Sequence, residues 1–442
     1  MMEKDKKKKG KKLVVGLIIL GLILIAGGGV LTYFSSPSYV SKTVIKEFGQ
    51  KATELMNSRI ETGLEDNYKT TSNIKMNLKS DYFSALATMD PSYAMISNLL
   101  NNLSNTENNI TMVQDKENKK LFFNLDSKLS GQSLINTKYL VENATAYYSI
   151  DGVTNTYVNN GNNNYFESLN SSTTTNENLK YLIEKIAESM ANNLEESYLS
   201  ESYTDEYKVI TITLTEQNIV TYGNKIINDL KNDEKANQIM TGYNANFSEA
   251  KLTEKDVTGT GTIKVNIYLD KILSQVSQYE LELGNGNKCI YYKENGKEIV
   301  ELISEEETTT LEIEKHGEKT EINIKDGSNA SLGTVTISQT STNYDIVANI
   351  TSEEATLDFG YNYQITNLKK STSYDSAATI TIKMTAQNTT IIDGTITVTS
   401  QTTNDTTISE DTSSSVLAST LSGTQTELLQ QKIALIILSL MS

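Results

Sequence analysis

The second half of the chain, from Tyr279 onward, is a long succession of short runs in which apolar and polar residues alternate. Ile322 and Ile324 show the pattern, which is typical of a strand with one buried face. Dipeptides that end in glycine, such as Asn295-Gly296 and Asp393-Gly394, separate the runs. Glycine supplies the positive φ that a two-residue hairpin turn requires. Because closely spaced hairpins pair strands that are neighbours in sequence, the pattern predicts an antiparallel meander of about ten strands.

Shorter strand patterns precede the meander. Alternation predicts strands over Ser72–Ser80, Lys120–Leu129 and Ala144–Ile150. In the first of these, Ile74, Met76 and Leu78 share one face. The asparagine-rich segment Tyr157–Tyr165 has the composition of an exposed loop and is predicted to be one.

Helical spacing of apolar residues predicts three long helices. They cover Tyr39–Leu64, Asn178–Leu194 and a segment that carries apolar residues from Ile219 to Leu230. A sheet with one polar face must have its apolar face covered, and amphipathic helices supply that cover. The predicted fold class is therefore α+β, a large curved antiparallel β-meander (half-barrel) packed on amphipathic helices, with an N-terminal transmembrane helix.

The transmembrane prediction comes from Leu13–Phe34, an uncharged apolar stretch of 22 residues. As a helix it would extend about 33 Å, enough for the hydrocarbon core of a bilayer. Seven lysines immediately precede it, so the positive-inside rule places the N-terminus in the cytoplasm and the rest of the chain outside. The expected location is the cell membrane, with a single-pass anchor and an extracytoplasmic body.

A cleaved signal peptide is the alternative interpretation of the same stretch. Leu13–Ala26 would be its apolar region, and Ala26, Gly27 and Gly28 offer small residues for cleavage. The apolar run continues past these residues, which favours an uncleaved anchor. The resulting division is a basic cytoplasmic stub at 1–12, the anchor at 13–34, sheet and helices at 35–399, a polar linker at 400–415, and an apolar helix at 416–442 that docks on the sheet.

A long antiparallel sheet over helices, held outside a membrane, resembles the LolA/LppX-like group of extracytoplasmic proteins that handle lipids or lipoproteins. The segments that carry the resemblance are Ile74–Leu78, Lys120–Leu125, Ala146–Ile150 and the meander from Tyr279 to Ile365. The lipid-modified cysteine of that group has no counterpart here, and Leu13–Phe34 would take over its tethering role. The resemblance implies a hydrophobic cavity between sheet and helices that holds acyl chains or the lipid of a partner.

Charge and residue types restrict the partners and the chemistry. The first twelve residues carry +5 and the remainder −21 of the net −16, so nucleic acid phosphates would be repelled. The only cysteine, Cys289, and the only histidine, His316, cannot form a zinc site, and no cofactor is expected. His316 lies in a polar turn sequence, and Cys289 lies in an apolar strand. We expect no catalytic residues and no enzyme activity.

Phe359, Tyr361 and Tyr363 alternate with polar residues and therefore share one strand face. These three aromatic residues are the candidates for lining an apolar ligand cavity, and ordinary core packing is the alternative. The function we expect is a membrane-tethered binding module for a lipid, a lipoprotein or another apolar ligand at the cell envelope; protein partners are unknown. The alternatives are a structural or adhesive surface protein and a hydrolase that uses paired carboxylates.

Overall fold

A computed structural model describes residues 36–56, 62–64, 66–90, 92–154, 156–163, 165, 176–243, 247–271, 275–352, 354–418 and 423–441. Leu13–Phe34, the predicted anchor, lies outside these residues. The described chain is an α+β fold with a large, mostly antiparallel and unclosed sheet and several helices. It divides into two compact units, which are described separately: a first unit of 1–59, 168–314 and 323–331, and a second unit of 60–167, 315–322 and 332–442.

The described helices are short to medium in length. They are α1 (Pro37–Met56), α2 (Asp81–Ala87), α3 (Ser92–Ser104), α4 (Asn176–Asn193), α5 (Glu216–Asn232), α6 (Glu234–Tyr243), α7 (Glu254–Val257) and α8 (Gly423–Met441). The predicted helices at Asn178–Leu194 and around Ile219–Leu230 are confirmed as α4 and α5. Residues 62–64 are not helical, so the prediction that the first helix continues to Leu64 is wrong. No described helix combines the length and the apolar character needed to cross a membrane.

The strands before the meander are β1 (Asn67–Lys79), β2 (Thr106–Asp115), β3 (Lys120–Leu129), β4 (Gln132–Glu142), β5 (Thr145–Ile150), β6 (Val158–Asn162), β7 (Leu199–Tyr203), β8 (Tyr207–Leu214) and β9 (Ile263–Asp270). The meander contains β10 (Val276–Glu282), β11 (Lys288–Glu294), β12 (Lys297–Ile303), β13 (Thr308–His316), β14 (Lys319–Asp326), β15 (Ser331–Gln339), β16 (Asn343–Thr351), β17 (Ala355–Lys369), β18 (Ser373–Ala386) and β19 (Thr389–Thr403). The last strand is β20 (Val416–Leu417). The succession of strands predicted from Tyr279 onward is therefore confirmed.

The first unit has a continuous core between its sheet and its helices. Strands β7 to β13 pair in sequence order, and β8 carries buried residues on most of its length. Helix α5 begins with a capping box, because Thr215 accepts from the backbone N–H of Asn218 and the Asn218 side chain accepts in return. Its apolar stripe includes the fully buried Tyr222, whose hydroxyl donates to the carbonyl of Met190 on α4 at 2.6 Å.

In the second unit, the last strands of the meander pair with strands that precede the meander in the chain. Strands β15 to β19 pair in order, and β19 then pairs with β1, which lies more than 300 residues earlier in the chain. From β1 the sheet continues in order through β2, β3, β4, β5 and β6, and β20 adds a short parallel pair at β6. Each of these strand pairs except β6–β20 is antiparallel.

Two local predictions are wrong. Tyr157–Tyr165 contains strand β6 rather than only loop, and Tyr157 and Val158 at its start are buried. Asp393-Gly394 is not a turn, because both residues lie inside β19. A Cβ at position 394 would come within 2.6 Å of Leu78 Cδ2, so glycine allows close packing inside the sheet. The turn before β19 uses Gln387 and Asn388, both with positive φ.

Residues 404–417, which we call the strap, lie against one side of strands β2–β6. Ile408 packs against a small core that contains Val113, Phe122, Leu140 and Tyr157. Glu410 accepts from Lys138 Nζ at 2.9 Å and from the Tyr157 hydroxyl at 2.9 Å. The residues between the meander and the C-terminal helix thus contribute to the packing of the second unit.

Candidate functional site

Apolar side chains form continuous rows across six strands of the second unit, β15, β16, β17, β18, β19 and β1. The middle row contains Ile337, Ile346, Tyr361, Ile380, Ile396 and Met76. One flanking row contains Tyr344, Tyr363, Ala378, Val398 and Ile74, and the other contains Val335, Ala348, Phe359, Ile382, Gly394 and Leu78. Because residues directly opposite each other in antiparallel pairs project to the same side, the three rows form one surface, which we call the apolar face.

The other side of the same strands is polar. Asn349 donates to Asp358 at 2.8 Å between β16 and β17, and Lys79 pairs with Asp393 at 3.4 Å between β1 and β19. Thr381 and Lys383 of β18 are exposed on this side. The sheet therefore has a polar side that suits contact with water and an apolar side that requires an apolar covering.

The apolar face is only half-buried. All six residues of the middle row retain partial exposure, and so do Phe359 and Tyr363. Ala348 and Gly394 are the buried members of the three rows. In the first unit, by contrast, 29 of the described residues form one buried core cluster. The second unit thus presents an extended apolar surface that its described residues cover incompletely.

Helices α2 and α3 lie at one end of the apolar face. Ser104 at the end of α3 accepts from the backbone N–H of Leu78 at 2.6 Å and donates to the Leu78 carbonyl at 3.1 Å. Ser80 caps α2 by accepting from the backbone N–H of Phe83 at 3.2 Å. These bonds fix both helices to the end of β1, where Leu78 meets Gly394.

Tyrosine rings occupy the opposite end of the face. Tyr344 and Tyr361 are in edge contact with ring centroids 6.1 Å apart. Burial raises the pKa of Tyr363, and the neighbouring Tyr374 and Tyr361 add to the effect. Burial also raises the pKa of Tyr68, beside Tyr165 and Tyr374. The hydroxyl groups of Tyr363 and Tyr68 therefore stay neutral at ordinary pH, and this end of the face combines aromatic surface with uncharged hydrogen-bonding groups.

The structure brings the three predicted cavity residues together with partners that the sequence did not indicate. Phe359, Tyr361 and Tyr363 lie on β17 in the three successive rows of the apolar face. Ile380 lies beside Tyr361 and Ile396 lies beside Ile380, and each of these two isoleucines is on a strand whose alternation was recognised. The sequence did not indicate that β19 pairs with β1, and this pairing adds Ile74, Met76 and Leu78 to the apolar face. Their role in binding stays a prediction.

A separate depression of 440 Å³ lies at the end of the β17–β18 hairpin. Its lining includes Asn367, Asp375 and Gln401, and Asp375 accepts from Asn367 at 2.7 Å and from Gln401 at 3.4 Å. This polar lining does not match the chemistry of an acyl chain. The apolar face is therefore the stronger candidate site.

Groups with potential chemistry lie elsewhere. Cys289 is half-buried against the core of the first unit, and burial raises the pKa of its thiol, which makes it a weaker nucleophile at neutral pH. His316 is exposed at the end of β13. Within the described residues, no three side chains of His, Cys, Asp and Glu come together as a metal site.

In the part of the chain that the structure describes, every carboxylate with a shifted pKa has it lowered. The Lys325 side chain, followed by Lys297, holds the pKa of Glu312 below its usual range. Hydrogen bonds from Ser328 and Ala330 do the same for Asp326 in a turn. A glycosidase acid needs the opposite shift, because it must be protonated near neutral pH. These groups act as structural acceptors.

Comparison with known proteins finds no matching family model and no matching curated sequence. The resemblance to LolA/LppX-like proteins is neither supported nor contradicted by these comparisons.

Proposed function

We propose that the protein is a non-catalytic, membrane-tethered module that binds an acyl chain of a lipid or lipoprotein on the apolar face of its second unit. The observation that carries this proposal is the half-buried state of the rows centred on Tyr361 and Ile380. An apolar surface of several strands is costly in water, and an apolar ligand is one way to cover it.

In this proposal the sheet of the second unit curves over its ligand as a half-barrel. The right-handed twist of antiparallel strands favours such curvature. Helices α2 and α3 close one end near Leu78, and the tyrosines near Tyr344 and Tyr363 form the other end. The resemblance to LolA/LppX-like proteins supports the same arrangement.

The tether in this proposal is the apolar stretch Leu13–Phe34 with its preceding lysines. It would place residues 1–12 in the cytoplasm and the two units at the outer surface of the cell membrane. A ligand taken from a lipid bilayer would then be within reach of the apolar face.

The test compares two neighbouring substitutions on β18. Ile380→Asn changes the middle of the apolar face, and Thr381→Asn changes the polar side of the same strand. Losing the apolar contact of one large aliphatic side chain, worth about 1.5–3 kcal/mol, should weaken lipid retention about tenfold or more. Native mass spectrometry of the full chain extracted from its membrane measures the retained lipid, and Thr381→Asn should retain as much as the unmodified chain.

The proposal is overturned if Ile380→Asn keeps its fold and retains as much lipid as the unmodified chain. It is also overturned if the unmodified chain retains no lipid. That result would favour the alternative of a structural or adhesive surface protein, in which the sheet serves only as a scaffold.

A further inference from the structure

The C-terminal helix α8 has an unusual distribution of polar and apolar side chains around its axis. The described side chains with partial burial follow helical spacing and are Gln425, Leu429, Lys432, Ile436 and Ser439. This stripe faces the second unit, because Asn102 of α3 donates to the carbonyl of Ser439 at 3.3 Å and Lys432 Nζ donates to the carbonyl of Asp151. Three of these five described inward side chains are thus polar.

The outward side of the second half of α8 is apolar. Ile433, Ala434, Leu435 and Leu438 are exposed, and the last two retain 62% of their accessible surface. An ordinary surface helix has the reverse arrangement, with its apolar side inward. The inverted arrangement indicates that the outward side of α8 contacts an apolar phase.

Segments next to α8 in the second unit expose further apolar side chains. Helix α3 contacts α8 and contains no charged residue, and its Met95 and Ile96 are exposed. Met89, in the connection between α2 and α3, retains 82% of its accessible surface. We call the exposed residues Met89, Met95, Ile96, Ile433, Leu435 and Leu438 the outer patch.

Polarity on the outward side of α8 changes along the helix. The exposed side chains described in its first half are Glu427, Leu428, Gln430 and Gln431, of which three are polar, whereas those from Ile433 to Leu438 are all apolar. In a bilayer, polarity changes with depth, so a helix that enters it obliquely needs this kind of axial gradient. A protein groove or a second copy would instead select one apolar stripe along the whole helix.

We propose that the outer patch lies in the interfacial layer of a lipid bilayer, so that the second unit rests on the membrane. The proposal rests on the tether of the proposed function, because Leu13–Phe34 ends just before Ser36, the first described residue, and would hold the body beside a bilayer. The contact is apolar rather than ionic, because α3 and the outward side of α8 from Ile433 to Leu438 carry no charge. It should therefore persist at high salt and on zwitterionic lipid.

The absence of tryptophan from the chain makes a direct test available. Leu435→Trp places a single fluorophore in the outer patch, and Thr381→Trp places one on the polar side of β18 as the control. A third variant, Leu22→Trp, reports separately on the tether. The full chain of each variant is reconstituted in phosphatidylcholine vesicles, with and without phosphatidylcholine brominated on its acyl chains.

We expect brominated lipid to reduce the emission of Leu435→Trp about twofold or more, and added iodide to have little effect on it, because the side chain lies among acyl chains. Thr381→Trp should show the reverse. Iodide protection of Leu435→Trp without quenching by brominated lipid would mean that protein covers the patch and would overturn the proposal. Emission like that of the control would overturn it as well.

The third variant separates this inference from the proposed function. Quenching of Leu22→Trp but not of Leu435→Trp would leave the tether intact and overturn the membrane contact. Quenching of Leu435→Trp alone would support the contact and overturn the tether. The binding of lipid on the apolar face is measured independently by Ile380→Asn and Thr381→Asn.

Discussion

Asp233 shows how a single carboxylate connects two helices of the first unit. It accepts from the backbone N–H of Ala236 at 2.8 Å, at the start of α6, and from the hydroxyl of Tyr181 on α4 at 2.9 Å. The Ala236 bond, together with Tyr181 and Lys185, lowers the pKa of Asp233 in the folded protein. The stabilisation is therefore present above the unfolded pKa of about 4 and is lost as the pH falls through the lower folded value.

We expect Asp233→Ala to lower the free energy of unfolding at pH 7 by about 1–2 kcal/mol, because a helix cap is lost. The difference from the unmodified chain should shrink as acid protonates the native carboxylate. Urea denaturation followed by the helical circular dichroism signal measures both values. Glu234→Ala, an exposed neighbour in the first turn of α6, is the control and should cost less. A cost that does not change with pH would contradict the assignment.

At the level of elements, alternation of apolar and polar residues identified strands wherever one face is apolar and the other is polar. Lys120–Leu129 was predicted with its observed bounds as β3. Strand β4 was missed because Leu140 and Val141, which are adjacent in sequence and project to opposite sides, are both buried. The strap covers one side of this strand, so local alternation is lost there. The local sequence of β4 could not indicate that residues 404–417, which are far away in the chain, cover one of its sides.

The strap gives the next prediction. Glu410→Ala removes the acceptor of the Tyr157 hydroxyl and the ionic partner of Lys138, and partly buried groups left without partners cost about 1–3 kcal/mol. We expect hydrogen exchange of residues 404–417 to become about tenfold faster, since about 1.4 kcal/mol corresponds to a factor of ten. Glu410→Gln retains an acceptor and should have a smaller effect. Glu354→Ala, at an exposed residue of the same unit, should leave the exchange of the strap unchanged. Unaltered exchange in Glu410→Ala would mean that the packing of Ile408 and the pairing of β20 with β6 hold the strap without Glu410.

At the scale of the whole molecule, the sequence predicted the individual strands of the candidate site better than the pairing that brings them together. The aromatic face of β17 and the apolar face of β1 were each recognised from alternation. Their proximity depends on pairing between residues such as Ile74 and Val398, which are far apart in the chain. The division into two units, one with a continuous core and one with an open apolar face, follows from this pairing and has no local signal.

This division predicts that an apolar ligand stabilises one unit and not the other. A ligand at about one hundred times its Kd adds about 2.7 kcal/mol to the unit that binds it. Hydrogen exchange in β17 and β18 should therefore slow about a hundredfold at amides that exchange only by unfolding of the second unit, since each factor of ten corresponds to about 1.4 kcal/mol. Exchange in α5 should stay the same, and so should the rate at which Cys289, the only thiol and part of the first unit, is labelled. Equal slowing in both units would contradict a site confined to the second unit, and slowing confined to α5 would place the ligand on the first.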